Sequence, residues 1–89
     1  MNPSTPLKKV KIYTMRYCPY CDRAKQLLKT RGIAFEESLV EEDDNAQWDA
    51  LFKLSGLRTM PQIFAGDRLI GGFSDLDKLD QKDALESLK

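Results

Sequence analysis

Eighty-nine residues are enough for one domain with one small core, since a chain of this size buries roughly 60–65% of its unfolded surface. Fourteen basic and fourteen acidic side chains cancel, so no overall charge marks the chain for nucleic acid, and the absence of histidine removes the usual general base. No run approaches the roughly 18 apolar residues of a membrane span, and residues 1–9 lack the apolar core of a signal peptide. A cytoplasmic, monomeric protein without membrane or nucleic-acid partners is expected.

Residues 1–7 are polar with two prolines and read as a flexible tail before a single domain over 8–89. Val10, Ile12 and Thr14 alternate with Lys11 and Tyr13, which predicts a first strand. Pro19 fits the first turn of a helix that continues through Asp22–Arg31, with Cys21, Ala24, Leu27 and Leu28 on one face and Gly32 as its stop. Ile33 to Val40, anchored by Phe35 and Leu39, reads as a second strand. Asp43, Asp44 and Asn45 offer caps for a second helix, with Trp48, Leu51, Phe52 and Leu54 apolar and Gly56 at its end. Gln62–Ala65 and Arg68–Ile70 form a hairpin about Gly66-Asp67. After Gly71-Gly72, Ser74 or Asp75 caps a last helix ending near Leu88. The order β-α-β-α-β-β-α predicts a four-stranded mixed α/β sheet, with a right-handed parallel crossover and helices on both faces. This is the thioredoxin-like arrangement.

Cys18 and Cys21 are the only cysteines, which fits a reducing compartment where such a pair is catalytic or metal-binding. At a helix N-cap, Cys18 meets unpaired N–H groups and the positive dipole end, both of which favour a thiolate; Arg16 and Arg23 add positive charge. The charges from Lys8 to Arg31 are basic except Asp22, whereas those from Glu36 to Asp49 are all acidic. Residues three apart on a helix lie close enough to close a disulfide with modest adjustment. Cys21, on the apolar face, is the less exposed, so Cys18 is expected to attack and Cys21 to resolve. A metal reading stays open: tetrahedral zinc needs four ligands, so zinc or a cluster would take thiols from outside the chain.

Cys18-Pro19-Tyr20-Cys21, Arg58-Thr59-Met60-Pro61-Gln62-Ile63-Phe64 and Gly71-Gly72-Phe73-Ser74-Asp75-Leu76, in this order and spacing, resemble the dithiol glutaredoxins from Val10 onward. The start Tyr13 to Tyr20 is also similar to omega-type glutathione transferases, but the glycine pair and Ser74-Asp75 favour glutaredoxin. The resemblance implies a glutathione-dependent thiol–disulfide oxidoreductase. It would act on glutathionylated and disulfide-containing proteins, with glutathione as co-substrate and no tightly bound cofactor. It implies a cis bond before Pro61 that turns the residue-60 backbone toward the cysteine portion of glutathione. It also implies that Tyr20 covers the ligand, and that Gly72, Phe73, Ser74 and Asp75 hold its γ-glutamyl end. Thr59 and Met60 complete that implied site. Taken alone, Pro61 could be an ordinary trans proline, the glycines a capped turn, and Tyr17 and Tyr20 partly exposed packing groups.

Two positions depart from the family. Met15 stands where a lysine often pairs with glutathione's glycine carboxylate, and Trp48 where a polar residue often assists it. Arg16 and Arg58 are the candidate replacements. Two other functions compete: a redoxin reduced by thioredoxin reductase, and a non-catalytic iron–sulfur or metal carrier using Cys18 with glutathione.

Overall fold

The computed structural model describes residues 10–82 and Leu85. The proposed tail over 1–7 and the far end of the last helix near Leu88 lie outside the described residues. Among the described residues seven elements follow in the expected order: β1 (Val10–Thr14), α1 (Pro19–Thr30), β2 (Phe35–Leu39), α2 (Asn45–Ser55), β3 (Gln62–Ala65), β4 (Arg68–Gly71) and α3 (Phe73–Gln81). The sheet order is β2-β1-β3-β4, with β1 parallel to β2 and antiparallel to β3, and β4 antiparallel to β3.

Strand alternation divides the apolar residues between two faces. Val10, Ile12, Ile63 and Ala65 pack with Ala24 and Leu28 of α1, Leu76 of α3, and Ile33 and Leu85. Tyr13 and Phe64, their rings edge to face, lie in a second cluster with Leu51 and Trp48 of α2, Val40 and Met60. The two cysteines belong to this second cluster.

Three local expectations are corrected. Of the two expected anchors of β2, Phe35 packs half-buried against the first cluster but Leu39 is exposed, while Ile33 and Val40 just outside the strand are buried. β2 is an edge strand, so its own side chains have less to pack against. In α2 only Leu51 is buried; Phe52 and Leu54 are exposed, because the helix covers the sheet with one narrow stripe. Finally, α3 begins at Phe73 with Gly72 as N-cap, ahead of both Ser74 and Asp75. Asp75 still caps it, but from the third helical position, where its carboxylate accepts the Gly72 N–H at 3.1 Å.

Candidate active site

The strand directions gather the candidate functional residues at one end of the sheet. β1 and β2 run parallel, so the residues after each, Cys18 and Glu41–Asp43, emerge together. β3 runs the other way and therefore begins there, behind Met60-Pro61, and β4 ends there, ahead of Gly72. Across this end the sheet order gives an acidic corner, then Cys18, then Met60-Pro61, then the start of α3.

Cys18 is the N-cap of α1, in extended conformation, with Pro19 in the first turn. It is joined to Cys21 as a disulfide, the two Cα atoms 5.2 Å apart. The Cys21 N–H donates to Cys18 Sγ at 3.2 Å, so an unpaired helix-start donor already points at this sulfur. Both cysteines are buried, Cys21 more completely. The turn that delivers Cys18 passes through Tyr17, whose φ of 57° is left-handed and whose side chain is 99% exposed. Tyr17 is therefore not a packing group.

Met60-Pro61 is a cis bond, and Met60 O lies 3.8 Å from Cys18 Sγ. Beside this contact is an open hollow of about 340 Å³ lined by Tyr20, Thr59, Met60, Pro61, Gly72, Phe73 and Ser74. Tyr20 and Phe73 form its aromatic side, their ring centroids 6.1 Å apart and tilted by 33°, and Arg23 stacks over Tyr20 at 5.4 Å. The adjacent glycines differ in what they require. Gly71 has φ 125°, and a Cβ there would collide with the Asp75 carboxylate. At Gly72 an added Cβ would make ordinary contact with Pro61 O at 3.6 Å. The close approach is thus built at Gly71, to make room for the Asp75 cap.

Seven of the residues expected to bind glutathione share this hollow, and Asp75 supports its rim through Gly72. Arg16 and Arg58 lie elsewhere. Arg16 pairs with Glu41 at 2.9 Å in a separate hollow with Met15, Tyr17, Glu42 and Asp43. Arg58 lies back on α2, 4.2 Å over the Phe52 ring and 3.7 Å from Asp49. Trp48 donates its indole N–H to Glu41 O at 3.1 Å. Among the described residues, no group of three or more Cys, Asp or Glu side chains is arranged to hold a metal ion, and no helix is long and apolar enough to cross a membrane.

Sequence reasoning missed the backbone of Tyr17 and the carboxamide of Gln62. Nothing local marks Tyr17, but a glutamine at the head of an otherwise apolar strand was a readable oddity, though its burial and partners were not.

A family model described as Glutaredoxin matches residues 10–70. Glutaredoxin 3 of Escherichia coli strain K12 is 43% identical over 79 residues, covering 89% of this chain and 94% of that one. Among solved structures, buckwheat glutaredoxin in complex with glutathione superposes with a TM-score of 0.82 at 28% identity, covering 93% of this chain and 78% of that chain. Glutaredoxin 1 of Francisella tularensis does so with a TM-score of 0.72 at 35% identity, covering 85% and 95%.

Proposed function

The chain belongs to the glutaredoxin family, and from that premise we propose that it is a glutathione-dependent thiol–disulfide oxidoreductase acting on glutathionylated and disulfide-containing proteins. Cys18 and Cys21 are its redox-active pair. The observation that carries the substrate reading is the adjacency of sulfur and hollow: Met60 bounds the hollow, and its carbonyl touches Cys18 Sγ.

In the reduced protein the Cys21 N–H and the helix dipole favour a Cys18 thiolate without a general base. That thiolate attacks the glutathione sulfur of a mixed disulfide, forming a Cys18–glutathione disulfide and expelling the protein thiolate. A second glutathione thiolate attacks the bound glutathione sulfur, giving glutathione disulfide and restoring Cys18. With a protein disulfide, Cys18 attacks first. Cys21 then attacks Cys18 Sγ, releases the substrate thiolate and closes the Cys18–Cys21 bond, which two glutathiones reopen. Extended backbone of the tripeptide pairs with residue 60, its cysteine over Cys18 and its γ-glutamyl end toward Gly72–Asp75. Arg16 and Arg58 are the proposed counter-charges for the other carboxylate. Each must leave an exposed pair to serve, an exchange costing no more than about 1 kcal/mol.

Cys18→Ser abolishes removal of glutathione from a glutathionylated peptide, whereas Cys21→Ser retains it and loses protein-disulfide reduction. Turnover coupled to glutathione and glutathione reductase measures both, with thioredoxin reductase as the competing electron source. Activity with the latter alone, or full activity in Cys18→Ser, would overturn the reading.

A further inference from the structure

The segment that carries the residue-60 backbone has few supports. Among the described residues, 57–61 neither give nor accept a backbone–backbone hydrogen bond. Leu57 N–H donates to Ser55 Oγ at 3.0 Å, and the Arg58–Asp49 pair is exposed and long. Met60 packs into the second cluster and Arg58 stacks on Phe52, but the buried hydrogen-bond anchor is Gln62, whose Nε2 donates to Leu57 O at 3.1 Å and Thr59 O at 3.2 Å. Both partners are carbonyls, which can only accept, so the amide nitrogen must face them. Gln62 is fully buried and its Oε1 has no hydrogen-bond partner among the described residues. A buried orphan acceptor is destabilising. Packing therefore gives no reason for a glutamine here, whereas its two donors bridge carbonyls of the segment leading to Met60 and Cys18 Sγ.

We propose that Gln62 is a positioning residue for the thiol–disulfide reaction. By clamping the Leu57 and Thr59 carbonyls, it holds the Thr59–Met60 backbone at the spacing from Cys18 at which a cysteinyl peptide can pair and present its sulfur. This role rests on the glutathione reading above. It acts on substrate placement and leaves the intrinsic reactivity of Cys18 alone.

The test uses the full chain, with Gln62→Leu and Gln62→Glu beside the wild type. Two disulfides are compared: a glutathionylated peptide in steady state, and 2-hydroxyethyl disulfide in a single turnover with the reduced protein. Gln62→Leu, which removes both donors, is expected to raise KM for the glutathionylated peptide about tenfold, the scale of one or two net hydrogen bonds. Its kcat should stay within about twofold, and its single-turnover rate should match the wild type. Gln62→Glu tests the clamp without relying on that variant's stability. A protonated carboxyl still donates one bond, but an ionised one faces two carbonyls with none. Its KM should therefore climb with pH through that titration, a step absent from the wild type. An unchanged KM in Gln62→Leu, an equal loss on both disulfides, or a flat profile in Gln62→Glu would overturn the assignment. A wild type with no preference for the glutathionylated peptide would instead remove the substrate reading, and the Gln62 role with it.

Discussion

Tyr17 combines a left-handed backbone with an almost fully solvated ring, one residue before the reactive sulfur. For a non-glycine residue that conformation costs roughly 1–2 kcal/mol, and asparagine tolerates it better. No buried contact of the ring offsets the cost, so Tyr17→Asn is expected to stabilise the oxidised protein by about 0.5–1 kcal/mol, read as a higher urea midpoint. A lower midpoint would show that the turn draws support from the ring. Gly71 presents the opposite case. Its positive φ and the Asp75 carboxylate leave no room for a side chain, so Gly71→Ala should destabilise by about 1–3 kcal/mol in the same assay. Gly72→Ala, at a negative φ and with ordinary contact, should cost less. The glycine pair was readable as a turn, but which glycine is indispensable depends on a carboxylate four residues away.

Strand β2 has no buried residue of its own, and besides its parallel ladder to β1 a polar hub ties it to β1 and α1. Glu37 Oε2 accepts from buried Thr14 of β1 at 2.7 Å and from Lys25 of α1 at 3.0 Å. The Thr14 hydrogen bond first, and then Lys25, hold the Glu37 carboxyl below its ordinary value. A depressed folded-state value means stability that is fully present above the ordinary carboxylate range, near pH 4.3, and lost as pH falls through the folded value. Glu37→Gln should remove this part of the acid-side loss, so its urea midpoint should fall less steeply than that of the wild type below about pH 4.5. Parallel curves would show that other carboxylates govern acid unfolding. Helix α2 shows where periodicity misleads. Trp48, Leu51, Phe52 and Leu54 were all readable as apolar, yet only Leu51 is buried, because periodicity gives a stripe without its width.

Across the whole molecule, the sheet separates two apolar clusters, and only one contains the cysteines. Leu28→Ala on one side and Leu51→Ala on the other should each cost about 2–5 kcal/mol. Leu51 shares its cluster with Cys18, Cys21 and Met60, so Leu51→Ala should also slow glutathionylated-peptide turnover under conditions where both variants remain folded. Leu28→Ala should leave that turnover close to the wild-type rate. Equal kinetic losses would mean that the two sides of the sheet are coupled through α1.

The sequence by itself determined the element order and the redox pair at a helix start; the segments that line the hollow were implied only by family resemblance. The order and the pair depend on local spacing: strand alternation, a proline and a cysteine at a helix N-terminus, glycines at a turn. Only the tertiary structure decided how those segments face one another. The order β2-β1-β3-β4 brings residues far apart in the chain to one sheet end, with Met60 O beside Cys18 Sγ and Arg16 and Arg58 drawn off to Glu41 and Asp49. It also turned Gln62 from a polar residue in a buried strand into a clamp on the neighbouring loop. Side-chain partners of this kind follow from strand pairing across the fold, and no local pattern encodes them.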